Sequence, residues 1–144
     1  YDLHFSFGSV KGTYVDLGNP HFINWGPDGV NLEDLNKQVT TVGGEVENAK
    51  HFPDGVNYEI ISTLSENEIN MAVWERGAGH TYACGSGAVA AVSAGVKLGR
   101  LQKNRQCRVN MLGGELFITV DPENKEATLE GRAEHVFEGS IDLG

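Results

Sequence analysis

Basic residues are scarce. Lys and Arg number 11 against 20 Asp and Glu, a net charge of −9 over 144 residues. A chain this acidic has no patch of cations with which to neutralise phosphates, which argues against a nucleic acid or an anionic membrane surface as its partner. Long apolar runs are also missing. None approaches the ~20 residues that a membrane span requires. No signal-peptide pattern is visible. The chain opens on Tyr1 instead of an initiator methionine, so it reads as a processed product or as part of something longer. Cysteine is limited to Cys84 and Cys107. A domain of this size needs no disulfide staple, so two free thiols in a reducing cytoplasm is the simpler reading. Glycine, by contrast, is plentiful: 19 residues, roughly double the usual ~7%. The glycines stand at separate turns and in one dense cluster, which is not a low-complexity pattern.

The order of elements follows from punctuation and periodicity. Short strands are expected at 3–7, 12–17 and 21–25, rich in β-branched and aromatic residues and divided by glycines. An amphipathic helix is expected over 32–42, with Asn31 as its N-cap, Glu33 and Asp34 in its first turn, and Gly43-Gly44 as its stop. A hairpin follows, 56–64 and 69–75, around a polar tip at Ser65–Glu68. Residues 86–98 then read Ser-Gly-Ala-Val-Ala-Ala-Val-Ser-Ala-Gly-Val-Lys-Leu, small and mostly apolar on every face, the mark of a buried helix. Strands at 105–112, 115–121, 126–131 and 134–138 complete the chain. The fold class is α+β: one domain over 1–144, with a curled, mostly antiparallel sheet wrapped around a central small-residue helix.

The chemistry concentrates between Glu75 and Gly87. A strand ends at Glu75, a glycine-rich loop leads to Cys84, and the buried helix begins directly after it. Cys84 therefore stands at a helix N-terminus among unpaired backbone N–H groups, an environment that favours the thiolate. The N–H groups of Gly85, Ser86 and Gly87 are placed to hold an anion such as a carboxylate. A thiolate base beside a carboxylate cradle suits chemistry at the carbon next to that carboxylate. Cys107, in a strand, reads as a core residue. His4, His51 and His135 are scattered without metal-ligand spacing.

These residues carry a family resemblance. Glu75-Arg76-Gly77-Ala78-Gly79, Thr81 and Ala83-Cys84-Gly85-Ser86-Gly87-Ala88 resemble the second-cysteine motif of diaminopimelate epimerases. Gly18-Asn19-Pro20-His21 is similar to that family's Gly-Asn-Pro-His element. Phe52-Pro53 with Gly55-Val56-Asn57 is similar to its Phe-Pro-x-Gly-x-Asn-Val element. Gly113–Leu116, Gly131 and Val136–Gly139 are similar to its C-terminal strands. The four elements occur in order and span essentially the whole chain. The resemblance is to the C-terminal half alone, since the family's first catalytic cysteine, in a Cys-Gly-Asn-Gly context, has no counterpart here.

The resemblance implies conversion of LL- to meso-diaminopimelate, a step toward lysine and peptidoglycan precursors, without pyridoxal phosphate, metal or other cofactor. Two cysteines would face opposite sides of the α-carbon, one removing a proton and the other returning one. Cys84 would be one of them. Asn19, Asn57, Glu75 and Arg76 would bind the substrate, Arg76 by its fork of donors. Gly85 and Ser86 would meet the α-carboxylate, and His21 and Glu75 would tune the thiols. The expected partners are a small amino-acid substrate and an N-terminal half bearing the other cysteine, with a homodimer left open. His80 stands where the family often has Glu, which bears on substrate identity.

Three other readings compete. One is a related isomerase of the same fold, of proline-racemase or phenazine-biosynthesis type. Another is a cysteine hydrolase with His21 or His80 as base to a Cys84 nucleophile, for which no third orienting residue is evident. The last is a half-domain that keeps the fold without catalysis.

Overall fold

Two crossover connections organise the chain, as seen in the computed structural model of residues 1–144. The elements in order are β1 (Asp2–Phe5), β2 (Gly8–Asp16), β3 (Pro20–Trp25), α1 (Leu32–Glu47), β4 (Asn57–Ser65), β5 (Glu68–Glu75), β6 (Gly79–Thr81), α2 (Gly85–Lys97), β7 (Cys107–Met111), β8 (Gly114–Asp121) and β9 (Glu126–Gly131). They form one mixed sheet in the order β1-β2-β3-β4-β5-β7-β8-β9, with β6 added to β5. Two pairs are parallel, β3 with β4 and β5 with β7, and the rest are antiparallel. The α+β expectation holds.

Each parallel pair is bridged by a helix, α1 in the first case and α2 in the second. Both crossovers advance the same way across the sheet, but the β4–β5 hairpin reverses the strand direction between them. Crossovers of one hand must then place α1 and α2 on opposite faces. The side chains agree. Phe22, Tyr58, Ile60 and Ala72 pack with Leu35, Val39 and Val46 of α1. Ile23, Ile61, Ile69 and Met71 pack with Ala88, Ala91 and Val92 of α2. Strand alternation thus separates two cores.

The sheet curls around α2, which touches β2, β3 and β4 on one side and β8 and β9 on the other. No residue of α2 before Lys97 is exposed, although Val89, Ser93 and Val96 form a half-buried stripe. The enclosed small-residue helix is therefore as expected. Cys107 lies in the core at 1% exposure, and both thiols are free. No helix is long and apolar enough to cross a membrane.

Three local expectations fail for physical reasons. Gly43-Gly44 does not stop α1, which continues to Glu47. Gly43 is there for contact, because a β-carbon on it would stand 2.5 Å from Trp74 Cγ. Asn31 does cap α1, its Oδ1 accepting from the Asp34 N–H at 2.9 Å. Residues 134–138 form no strand; Val136 and Phe137 remain 85% and 80% exposed, and β9 beside them pairs with β8 alone. Within the glycine stretch, the short strand β6 was not anticipated; it pairs Val73 with Thr81 and Glu75 with Gly79.

The contact at Gly43 yields a paired prediction. Gly43→Ala should destabilise the fold by about 1–3 kcal/mol, since its methyl must displace a packed indole. Gly44→Ala, whose β-carbon would meet Trp74 at an ordinary 3.5 Å, should be neutral or slightly stabilising through helix propensity. Urea titration of both variants checks this; equal effects would contradict the packing account.

Candidate active site

The parallel register of β3 and β4 sets His21 beside Asn57. Both strands begin at the edge of the sheet where β5, running the other way, ends at Glu75. Alternation turns His21 and Glu59 to the α2 face, with Ile23 and Ile61 next along each strand. The first turn of α2 comes down at this edge.

Cys84 is the N-cap of α2, with an extended backbone at φ −145° and ψ 110°. Caps are ordinarily Ser, Thr, Asp or Asn, whose side-chain oxygen accepts from an early helical N–H. Here the sulfur does so, accepting from the Gly87 N–H at 3.4 Å. Ser86 Oγ lies 3.6 Å from the sulfur and accepts from Asn19 Nδ2 at 3.2 Å. The N–H groups of Gly85 and Ser86, at the start of the helix, have no intrahelical acceptor.

Below this turn His21 and Glu59 form a hydrogen-bonded pair, Nδ1 to Oε1 at 2.6 Å, with both side chains 0% exposed. His21 Nε2 and Glu59 Oε2 have no protein partner. Asn57 links two loops: its Nδ2 donates to Pro20 O at 2.8 Å, and its Oδ1 accepts from the Arg76 N–H at 2.9 Å. Glu75 Oε1 accepts from Thr81 Oγ1 at 2.5 Å. The Arg76 guanidinium donates to Asp54 O at 3.2 Å. It borders a cleft of about 420 Å³ lined also by Tyr14, Asp16, Pro20 and Phe52.

Asn19, His21, Asn57, Glu75, Cys84, Gly85 and Ser86 are thus gathered at one end of the sheet, with Arg76 to one side facing the cleft. His80 is elsewhere. Its Nε2 pairs with Asn36 Oδ1 of α1 at 2.6 Å, and its ring meets Tyr82 edge-on. This geometry gives no support to His80 as a base for Cys84.

Two residues escaped the sequence reading. Glu47 holds the turn after β5, accepting from the Gly77 N–H at 2.8 Å and from Trp74 Nε1 at 2.7 Å. Glu59 is the buried partner of His21. Its signal was a single carboxylate inside the otherwise apolar run Tyr58-Glu59-Ile60-Ile61.

The expectation of a favoured thiolate is also overturned. Burial pushes the Cys84 thiol up to about 11, and the charges of Glu75 and Glu59 push the same way. The Ser86 hydroxyl and the Gly87 N–H oppose this without winning. A helix N-terminus lowers a thiol only where desolvation and neighbouring carboxylates do not outweigh it.

Burial likewise raises the Glu59 carboxyl, against the pull of His21. The folded chain therefore holds that proton to higher pH than the unfolded chain does. The stabilising contribution is present below the ordinary carboxylate pKa and is lost as pH rises through the raised value. Glu59→Gln should gain on the wild-type chain in thermal melts as pH goes from 4 to 8. A stability difference that stays constant, or that moves in favour of wild type as pH rises, would contradict this assignment.

The diaminopimelate epimerase family model matches residues 13–136. A diaminopimelate epimerase of Bacillus velezensis is 40% identical over 141 residues, 96% of this chain and 47% of that protein. One of Moorella thermoacetica is 42% identical over 134 residues, 92% of this chain and 45% of that protein. The chain spans about half the length of the curated relatives it matches. Among solved structures, a probable proline racemase from Agrobacterium radiobacter superposes with a TM-score of 0.61 at 13% identity, over 90% of this chain and 44% of that one. That likeness is one of fold.

Proposed function

The chain belongs to the diaminopimelate epimerase family, and we propose that it supplies one half of a cofactor-independent epimerase site, with Cys84 as one of two acid–base thiols. The observation that carries this reading is the placement of Cys84: a thiol used as a helix cap, its sulfur on the Gly87 N–H, above the buried His21–Glu59 pair. Capping is usually the work of an oxygen; a sulfur in that place puts a titratable group at the head of the helix, which supports a role in proton chemistry.

In this reading the substrate's α-carboxylate docks on the Gly85 and Ser86 N–H groups, where the helix dipole favours an anion. Asn19 and Asn57 orient the substrate from the starts of the strands. Arg76 meets its distal carboxylate from the cleft side, where a guanidinium binds with two parallel donors. The α-carbon then stands over Cys84 Sγ. In one direction the thiol donates its proton to the carbanion from this face. In the other, the thiolate removes the α-proton. The opposite face is served by a second cysteine on a partner half, the portion of the relatives' length that lies outside their match to this chain. The name of those relatives points to diaminopimelate as the substrate.

The high thiol pKa fits a group that rests as the acid. Forming the thiolate in this half needs a compensating positive charge, and the substrate's α-ammonium brings one next to the reacting carbon.

Chiral chromatography of LL- and meso-diaminopimelate tests the proposal. The 144-residue chain alone should show no useful inversion. Joined to a cysteine-bearing partner half, fused or in trans, it should invert the α-centre. In that joined protein Cys84→Ser should lose about 10²–10⁴-fold in kcat, the usual contribution of a general acid–base group. Unchanged turnover in Cys84→Ser would overturn the proposal.

A further inference from the structure

Replacing a buried ion pair by apolar side chains of similar volume is often neutral or stabilising. Stability alone therefore does not account for His21 and Glu59 on a sheet face otherwise lined by Ile23, Ile61 and Met71. Their surroundings point to a purpose. Glu59 Oε1 accepts from or donates to His21 Nδ1 at 2.6 Å and also presses on Gly87, where a β-carbon would meet it at 2.7 Å. The same β-carbon would meet Cys84 Sγ at 3.2 Å. Carboxyl and sulfur thus crowd one glycine in the first turn of α2. The second oxygen, Oε2, is buried without a protein partner.

We propose that Glu59 is a positioning residue for Cys84: held in place by His21, its carboxyl faces the sulfur across Gly87 and opposes loss of the thiol's proton. The inference rests on the epimerase reading for its purpose, while the effect on the thiol is measurable without turnover.

The groups facing Cys84 from each packed element can be named. His21 stands on β3, Glu59 on β4 and Glu75 at the end of β5. From its own helix the sulfur meets Ser86 Oγ and the Gly87 N–H, and α2 has no acidic residue in its first turn. β9 brings Leu129 against Gly85, and Gly113 between β7 and β8 packs on the Tyr82 carbonyl. Within the His21–Glu59 pair the carboxyl is the group that brings negative charge toward the sulfur. A negative charge close to a sulfur in a buried site penalises the thiolate and so adds to the larger effect of burial, while the Ser86 hydroxyl and the Gly87 N–H pull the other way.

The experiment is iodoacetamide alkylation of the folded 144-residue chain across pH, with the modified cysteine identified by mass spectrometry and Cys107 as internal control. In the wild-type chain the Cys84 midpoint should lie above the range of free cysteine. A midpoint at or below that range overturns the proposal without any variant. Glu59→Gln keeps an oxygen for the His21 N–H and removes the charge. It should lower the Cys84 midpoint by about one pH unit. Because a less basic thiolate is a weaker nucleophile, alkylation near pH 8 should then rise roughly threefold instead of tenfold. Glu59→Met, which removes both charge and hydrogen bond, should lower the midpoint at least as far. The rate at Cys107 should not move. If Glu59→Gln matches wild type while Glu59→Met shifts, Glu59 acts by packing alone and the proposal fails. If neither shifts, it fails as well. Loss of inversion in Cys84→Ser alongside an unmoved midpoint would overturn the role of Glu59 and leave the epimerase reading standing. A moved midpoint with inversion intact in Cys84→Ser would do the reverse.

Discussion

Everything at the site depends on how closely the first turn of α2 can approach the sheet. A helix of glycine, alanine and serine lets the sheet close around it, and Gly87 is where the approach is tightest. Any side chain there would collide with Glu59 Oε1 and crowd Cys84 Sγ. The closeness has two consequences. It buries the cap sulfur, and it sets that sulfur beside a carboxylate which the sheet has already buried. Close backbone packing and unusual acid–base chemistry are therefore one feature of the fold.

The same arrangement decides a contest of charges. The helix dipole and the Gly87 N–H draw Cys84 toward the thiolate. Desolvation and the carboxylates of Glu59 and Glu75 draw it back, and they prevail. A cysteine at a helix N-terminus on a solvent-exposed loop would be reactive by default. Here burial and its neighbours disfavour the thiolate, which suits the proposed role of returning a proton to a carbanion. Ser86, held by Asn19, adds a hydrogen-bonding group beside the thiol without adding charge.

Much of this was legible in the sequence. The run of small residues after Cys84 told of a buried helix, and Asn31 told of a cap, because both signals are local. The motif residues that gather at the sheet edge were also found, each through its own short pattern. What was lost depended on distant partners. Gly43 reads as a helix stop unless Trp74 is known to press on it. Glu59 belongs to no short pattern of its own, and its burial shows only once the sheet is known to be covered on both faces at that point. The thiol of Cys84 reads as activated until its burial and its two carboxylate neighbours are counted. Val136 and Phe137 have the composition of a strand, but no neighbour pairs with them.

The central claim is that Cys84 is a single-proton acid–base group serving one face of the α-carbon, with a second thiol on the other. The most direct measurement is the position of deuterium early in turnover, using the chain joined to its partner half in heavy water. Two single-proton thiols give product that carries solvent deuterium at the α-carbon, while unconverted substrate at the same moment still carries hydrogen. Deuterium accumulating in unconverted substrate as fast as in product would mean that one exchangeable base serves both faces, and would contradict the account.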